Sequence, residues 1–137
     1  MSLEYAHIGR RLLADICDIA ISIVLALVAA LSALLIFNSS EAAAHVANIT
    51  WFLWFFGNAT YSVGATGQSW GRRLLGVKVV DSDGRPVGFW RILGRNLFAF
   101  HVSALPLFLG FLWIAWDDKR RAWHDMALGT PMVDANT

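Results

Sequence analysis

The stretch RRLLADICDIAISIV, residues 10–24, sets two arginines and two aspartates directly against nearly pure hydrocarbon side chains. From Ile19 to Phe37 no residue is charged, and a hydrocarbon core of about 30 Å needs about 20 helical residues. The stretch therefore opens a membrane span over residues 12–37. Its charges then need an account of their own. Arg11, Asp15 and Asp18 stand at i, i+4 and i+7, so a helix places all three on one stripe. Arg11 is in reach of Asp15. Asp18 lies one turn deeper, too short to snorkel to the surface, and should want a partner: an arginine of the basic loop that locks the helices together, or an ion or proton in the bundle.

Composition places the rest of the chain in the same class. Of 137 residues, 57% are hydrophobic and 15% charged, against soluble norms of about 45–50% apolar and about 25% charged. The mean hydropathy is +0.53. A single soluble domain of this length does not bury that much apolar surface, so the chain reads as an integral membrane protein. The first apolar run exceeds the usual leader core of about 7–15 residues, which favours a signal anchor over a cleaved leader. Cys17 is the single cysteine; it excludes an intramolecular disulfide and a cysteine metal cluster.

A polar connector, NSSEAAAHVAN, leads to a second apolar segment over residues 47–64, rich in aromatics. Asn48, Asn58, Thr60 and Tyr61 suggest that one of its faces meets protein. Residues 67–95 form a basic loop carrying Arg72, Arg73, Lys78, Arg85, Arg91 and Arg95. Within it VKVVDSDGRPV reads as a strand, a turn at Asp83-Gly84 and a possible return strand, a short β-hairpin. Arg72, Arg73, Lys78, Arg91 and Arg95, with Trp70, Phe89 and Trp90 beside them, suit anionic lipid head groups. Nucleic acid is not required to explain them.

A third apolar segment, residues 97–116, is interrupted by Pro106 and Gly110, and a tail follows over residues 117–137. The fold expected is an all-α membrane bundle with two transmembrane helices, a Pro-broken third segment and a small cytoplasmic hairpin. Arg10 and Arg11 place the N-terminus in the cytoplasm, and the basic loop returns there. A simple third span would leave Lys119, Arg120 and Arg121 outside, against that rule; a re-entrant or hairpin segment keeps the tail inside. Twenty residues are short for two full spans, and both alternatives stand. A faint internal echo favours the returning path: LLGVKVV (74–80) resembles ALGTPMV (127–133), and the two can pair only on one side.

Enzyme signals fail on inspection. GRRLLGVK (71–78) mimics a phosphate-binding loop, but its lysine is one place late and no Ser or Thr follows. No His-Glu-x-x-His or paired zinc-ligand spacing occurs. No cofactor or metal is expected, and the chain reads as non-enzymatic. His124 and Asp125 are adjacent and should not face each other on a helix. Asp125 is expected to accept from a distant arginine or to cap a helix, and His124 to serve as an interfacial hydrogen-bonding group. His7 and His45 lie near opposite faces of the expected bundle and cannot share a metal. His101 stands alone in the third apolar segment.

Three pieces taken together resemble the RDD family of small bacterial membrane proteins, named for an arginine and two aspartates. RRLLADICD carries the family arginine as Arg11 and its helix-embedded aspartate as Asp18. SWGRRLLGVKVVDSDGRPV is similar to the family's Thr-Pro-Gly-Lys-Arg-Leu-Leu-Gly with its following strand and turn; Ser69, Trp70 and Arg72 replace Thr, Pro and Lys. RRAWHDMALGTPMV matches the family's Arg-x-x-x-His-Asp ending, with Asp125 as the second aspartate and Asp15 and His124 as secondary candidates. The resemblance implies a multi-pass protein of the bacterial cytoplasmic (inner) membrane. It leaves two functions open. One is an accessory or assembly subunit packed with other membrane proteins or with its own copies. The other is an ion/proton transporter, akin to a sodium/proton antiporter, working as a homo-oligomer through Asp18, Arg11 and Asp125.

Overall fold

The computed structural model describes residues 4–99 and 112–135. Helix α1 runs over Ile8–Phe37. It starts where the His7 side chain accepts from the Gly9 N–H at 3.1 Å. It ends at Asn38, whose left-handed backbone (φ 46°) turns its N–H onto the Leu34 carbonyl. Thirty residues at about 1.5 Å each give roughly 45 Å, well beyond the thickness of a bilayer core. Among the described residues α1 is the one helix both long and apolar enough to cross a membrane. Many of its apolar side chains are exposed, Leu35 to 85%.

Only Asn38 and Ser39 separate α1 from α2, Ser40–Phe56. The polar connector read from sequence is thus mostly helix. Its alanines are strong helix formers, Ser39 caps the first turn by accepting from the Ala42 N–H at 3.2 Å, and Glu41 complements the helix N-terminus. The helix continues without a break through a π-helical turn, Gly57–Ser62, into α3, Val63–Thr66, which stops at Gly67 (φ 78°). α1 and α2 form a close hairpin. Ala14, Ser22 and Ala33 of α1 and Ala43 of α2 are buried along it; small side chains let helices approach where the hydrophobic effect gives no help.

The remaining elements gather at the N-terminal end of α1. They are α4 (Trp70–Leu75), β1 (Val77–Val79), α5 (Phe89–Phe98), a 3-10 turn (Trp113–Ala115), α6 (Trp123–Leu128) and β2 (Met132–Asp134). Ala6, Ala14, Val63, Val77, Val79, Val87, Ile92 and Met132 make their common core.

The expected β-hairpin is corrected here. The turn forms, with Asp81 accepting through Oδ1 from the Asp83 and Arg85 N–H groups, both at 2.9 Å. The chain after it does not pair back. Pro86 has no N–H to offer a ladder, and Gly88 instead donates to the Gly64 carbonyl at 3.0 Å. The partner of β1 is β2, antiparallel, with Val77 opposite Asp134, Lys78 opposite Val133 and Val79 opposite Met132. These are the two segments linked by the internal echo. Tyr5 bridges to Val133 on the other side. The Pro-broken segment 97–116, with His101, Pro106 and Gly110, lies for the most part outside the described residues.

Candidate functional site

Two carboxylates organise the polar end of the bundle, and they do so separately. Asp18 projects from α1 into the start of α4. Its Oδ1 accepts from the Gly71 N–H at 2.7 Å and from Asn58 Nδ2 at 2.7 Å, and its Oδ2 accepts from Ser69 Oγ. Asn58 completes the arrangement by accepting from the Trp70 N–H at 3.0 Å. A helix N-terminus carries unsatisfied N–H groups and partial positive charge; Asp18 and Asn58 answer both. Glycine at 71 is what permits the approach, because a Cβ there would lie 2.1 Å from the Ala14 carbonyl oxygen and 2.9 Å from the Asp18 carboxyl carbon. The π-helical turn serves the neighbouring contact. Its loosened ladder leaves the Ala59 carbonyl and Thr60 Oγ1 to accept from Asn96 Nδ2, both at 3.1 Å.

Asp125 is fully buried. It accepts from Arg11 Nη2 at 2.6 Å, from Arg95 Nη2 at 2.9 Å and Nε at 3.1 Å, and from the Ala122 N–H at 3.0 Å, which caps its own helix. Arg11 also donates to the carbonyl of Arg120, a residue held in the left-handed region (φ 49°). α5 turns Ile92 and Arg95 inward at i and i+3. One carboxylate therefore ties α1, α5 and the tail together. Burial by itself would raise the Asp125 carboxyl, but the guanidiniums of Arg95 and Arg11 outweigh it and hold the group well below the usual carboxylate range. His124, buried beside it, has its Nε2 3.3 Å from Asp125 Oδ1. Burial, then the charge of Arg95, pushes its imidazole from 6.5 down to about 3, so it is neutral near pH 7.

A third contact joins the same end. Arg10 donates to Asp134 Oδ1 at 2.6 Å and to the Leu75 carbonyl at 2.6 and 3.1 Å, fastening α1 to β2 and to the end of α4.

Several expectations change on this geometry. Arg11 and Asp18, the pair carried by the family motif, serve different centres. Asp18 meets hydroxyl, amide and backbone donors, not an arginine of the basic loop. Arg11 turns to Asp125, and the guanidinium beside Asp15 is that of Arg72, at 3.4 Å. Arg72 and Arg95, expected against lipid head groups, are 8% and 4% exposed; Arg95 meets the buried Asp125, and Arg72 reaches the exposed Asp15. Arg73 and Arg91 are exposed. Arg73 sits 5.5 Å over the Trp70 ring, and Arg91 donates to the Leu128 carbonyl at 2.6 Å. Lys78 is half-buried on β1. His124 and Asp125, expected to face apart, come to 3.3 Å where the Asp125 carboxylate folds back to accept from the Ala122 N–H. Sequence reasoning did not assign roles to Asn58, Ser69, Gly71, Asn96 or Asp134. Asn58 was legible only as a polar residue in an apolar span, and Ser69 as the stand-in for the family threonine. Among the described residues no group of three His, Cys, Asp or Glu is placed to hold a metal ion.

The chain is 36% identical to the proline-rich antigen of Mycobacterium leprae (strain TN) over 87 residues, 58% of this chain and 34% of that protein. It is 35% identical to a proline-rich antigen homolog of Mycobacterium tuberculosis (strain CDC 1551 / Oshkosh) over 89 residues, 64% of this chain and 35% of the relative. The YxaI protein of Bacillus subtilis (strain 168) is 35% identical over 63 residues, 46% of this chain and 40% of that one. The chain thus spans about a third of the length of the mycobacterial relatives it matches. No solved structure matches. The profile of the RDD family covers residues 5–129, from the strand-bridging Tyr5 through Arg11, Asp18 and Asp125 to the end of α6, and this membrane-associated chain belongs to the RDD family.

Proposed function

We propose that this RDD domain is a non-enzymatic, multi-pass module of the bacterial inner membrane that acts as an accessory or assembly subunit, with Arg11, Asp18 and Asp125 serving as clamps. The observation that carries the reading is the saturation of Asp125. It is fully enclosed, and its oxygens are shared among two guanidiniums and a backbone N–H. A carboxylate that relays ions or protons has to exchange partners, whereas this one is held ionised by Arg95 and Arg11. The clamps organise a domain that turns broad apolar faces outward, with Leu27, Leu31, Phe52 and Phe55 all exposed. Lipid and partner helices are what such faces meet.

The same contacts support the topology. Arg10 is paired with Asp134, and Arg11 with Asp125. If α1 spans, its N-terminal end, the basic loop and the tail share one side, which the arginine rule makes the cytoplasm. That favours the returning path for the third apolar segment over a single crossing.

Cysteines placed at Phe52 and Phe55 test the subunit reading. Cross-linking in native membranes should trap a second copy or a defined membrane partner, and a chain that stays monomeric throughout overturns it. The transport reading has its own test in proteoliposomes. Sodium-dependent proton flux that is lost in a folded Asp18→Asn variant would restore it and displace the clamp.

A further inference from the structure

A cavity of about 280 Å³ lies between the N-terminal segment, the turn after β1 and the start of the tail, with Tyr5, Ser82, Lys119, Arg121 and Asp125 in its lining. That volume is near the lower end of the range of small-molecule sites, about 300–1,000 Å³. Its polar lining is rich in donors. Among the described residues the Tyr5 and Ser82 hydroxyls and the Lys119 ammonium have no hydrogen-bond or ion-pair partner. Arg121 is held in place by Asp117, which accepts from its Nε and its Nη2, both at 3.0 Å. That grip on one edge of the guanidinium leaves Nη1 as an oriented donor for a second oxyanion.

Charge favours an anion as well. Asp125 contributes to the lining but is 0% exposed, and Arg11 and Arg95 together outweigh it. Arg121 and Asp117 cancel, so the exposed Lys119 adds its charge to a core that is already positive. Asp81 and Asp118 neighbour lining residues in the chain, yet neither lines the cavity. A phosphate group offers more acceptor oxygens than a carboxylate to donors arranged in this way. Position suggests where such a group comes from. Lys119 closely follows Trp113 and Trp116, which are 44% and 72% exposed, and exposed tryptophans mark the head-group level of a bilayer.

We propose that this cavity binds a phosphate group through Lys119, Arg121, Tyr5 and Ser82, carried by an anionic lipid head group or by a small phosphorylated solute. The site uses none of the clamp bonds of Asp18 or Asp125, so it stands or falls apart from the subunit reading.

The test uses the full-length protein in a maltoside detergent. Thermal unfolding is followed, and the rate at which a water-soluble reagent acylates Lys119 is read by mass spectrometry. Inorganic phosphate is titrated against gluconate at constant ionic strength, and phosphatidylglycerol against oleate at matched micellar charge. A saturable rise in Tm with protection of Lys119 is expected in at least one phosphate arm, and in neither control. Lys119→Gln should raise the half-saturating concentration about tenfold or more, whereas Arg73→Gln, an exposed cation outside the cavity, should leave it unchanged. A response to phosphatidylglycerol alone supports the proposal with a lipid head group as the source, and a response to inorganic phosphate alone supports it with a soluble one. No response in either phosphate arm overturns it, as does an equal response to oleate, which reports negative charge of any kind. A rise in Tm without protection of Lys119, or one unchanged in Lys119→Gln, overturns the placement in this cavity. Acylation is read on the unmodified protein, so a poorly folding variant does not block the test.

Discussion

Asp125→Asn is the substitution that the structure makes most informative. It removes the negative charge from a fully buried position and strands two guanidiniums that now lie 2.6 and 2.9 Å from it. Removing one partner from a buried ion pair costs about 3–5 kcal/mol, chiefly because the other charge is left uncompensated. The asparagine oxygen can still accept from the Ala122 N–H, so the loss is that of the charge. A natural domain is stable by about 5–15 kcal/mol, so the variant should lose a large share of the stability that docks the tail. Equilibrium unfolding in mixed micelles, read by tryptophan fluorescence, measures the loss. A companion variant separates charge from packing: with Arg11→Met, Arg95→Met and Asp125→Leu together, the buried set becomes apolar and most of the stability should return. The reasoning is refuted if Asp125→Asn lies within about 0.5 kcal/mol of the unmodified protein, the range of an uninvolved surface change.

Gly71→Ala should be nearly as damaging as its size is small. The new Cβ would lie 2.1 Å from the Ala14 carbonyl oxygen, backbone against backbone, and relief by moving α4 breaks the Asp18 cap; a loss of about 1–3 kcal/mol in the same assay is expected, and a neutral result rejects the close packing. Acidification should destabilise through His124. The folded imidazole titrates near 3, so between pH 6.5 and 3 the unfolded chain takes up a proton that the folded one refuses, and stability falls as pH drops. At about 1.4 kcal/mol per pH unit this amounts to about 2 kcal/mol between pH 7 and 5. His124→Gln should flatten the curve in that window, and an unchanged slope discards the account. Finally, a reporter fused after Thr137 and one inserted at Ser82 should both report the cytoplasm; a periplasmic signal at Thr137 alone rejects the shared-side topology.

The parts of the molecule legible in sequence are those set by local rules. The uncharged, largely apolar run Ile19–Phe37 is enough to call for a helix of spanning length, because the bilayer fixes the length such a helix must have. The three-motif order is enough to place the chain in its family. Motif matching also picked out Arg11, Asp18 and Asp125, because groups that must be satisfied away from water are confined to few residue types. The misreadings share one cause. Arg72 and Arg95 look like lipid-facing cations when counted along the loop, and nothing in FWRILGR reveals that α5 rolls Arg95 inward while Trp90 stays 78% exposed. The hairpin was read from a real turn at Asp81–Gly84, yet the strand partner lies some fifty residues further along the chain.

By itself, then, the sequence determined that this is a helical membrane protein of the RDD family, and which charged residues have to be accounted for. Tertiary structure alone decided their partners. Arg11 meets Asp125 across 114 positions, and Asp18 meets Gly71 across 53. Side-chain charge is written in the residue, whereas the choice of counter-charge depends on which backbones approach closely enough. That approach is set by a glycine at 71, a π-helical turn at 57–62 and the pairing of β1 with β2.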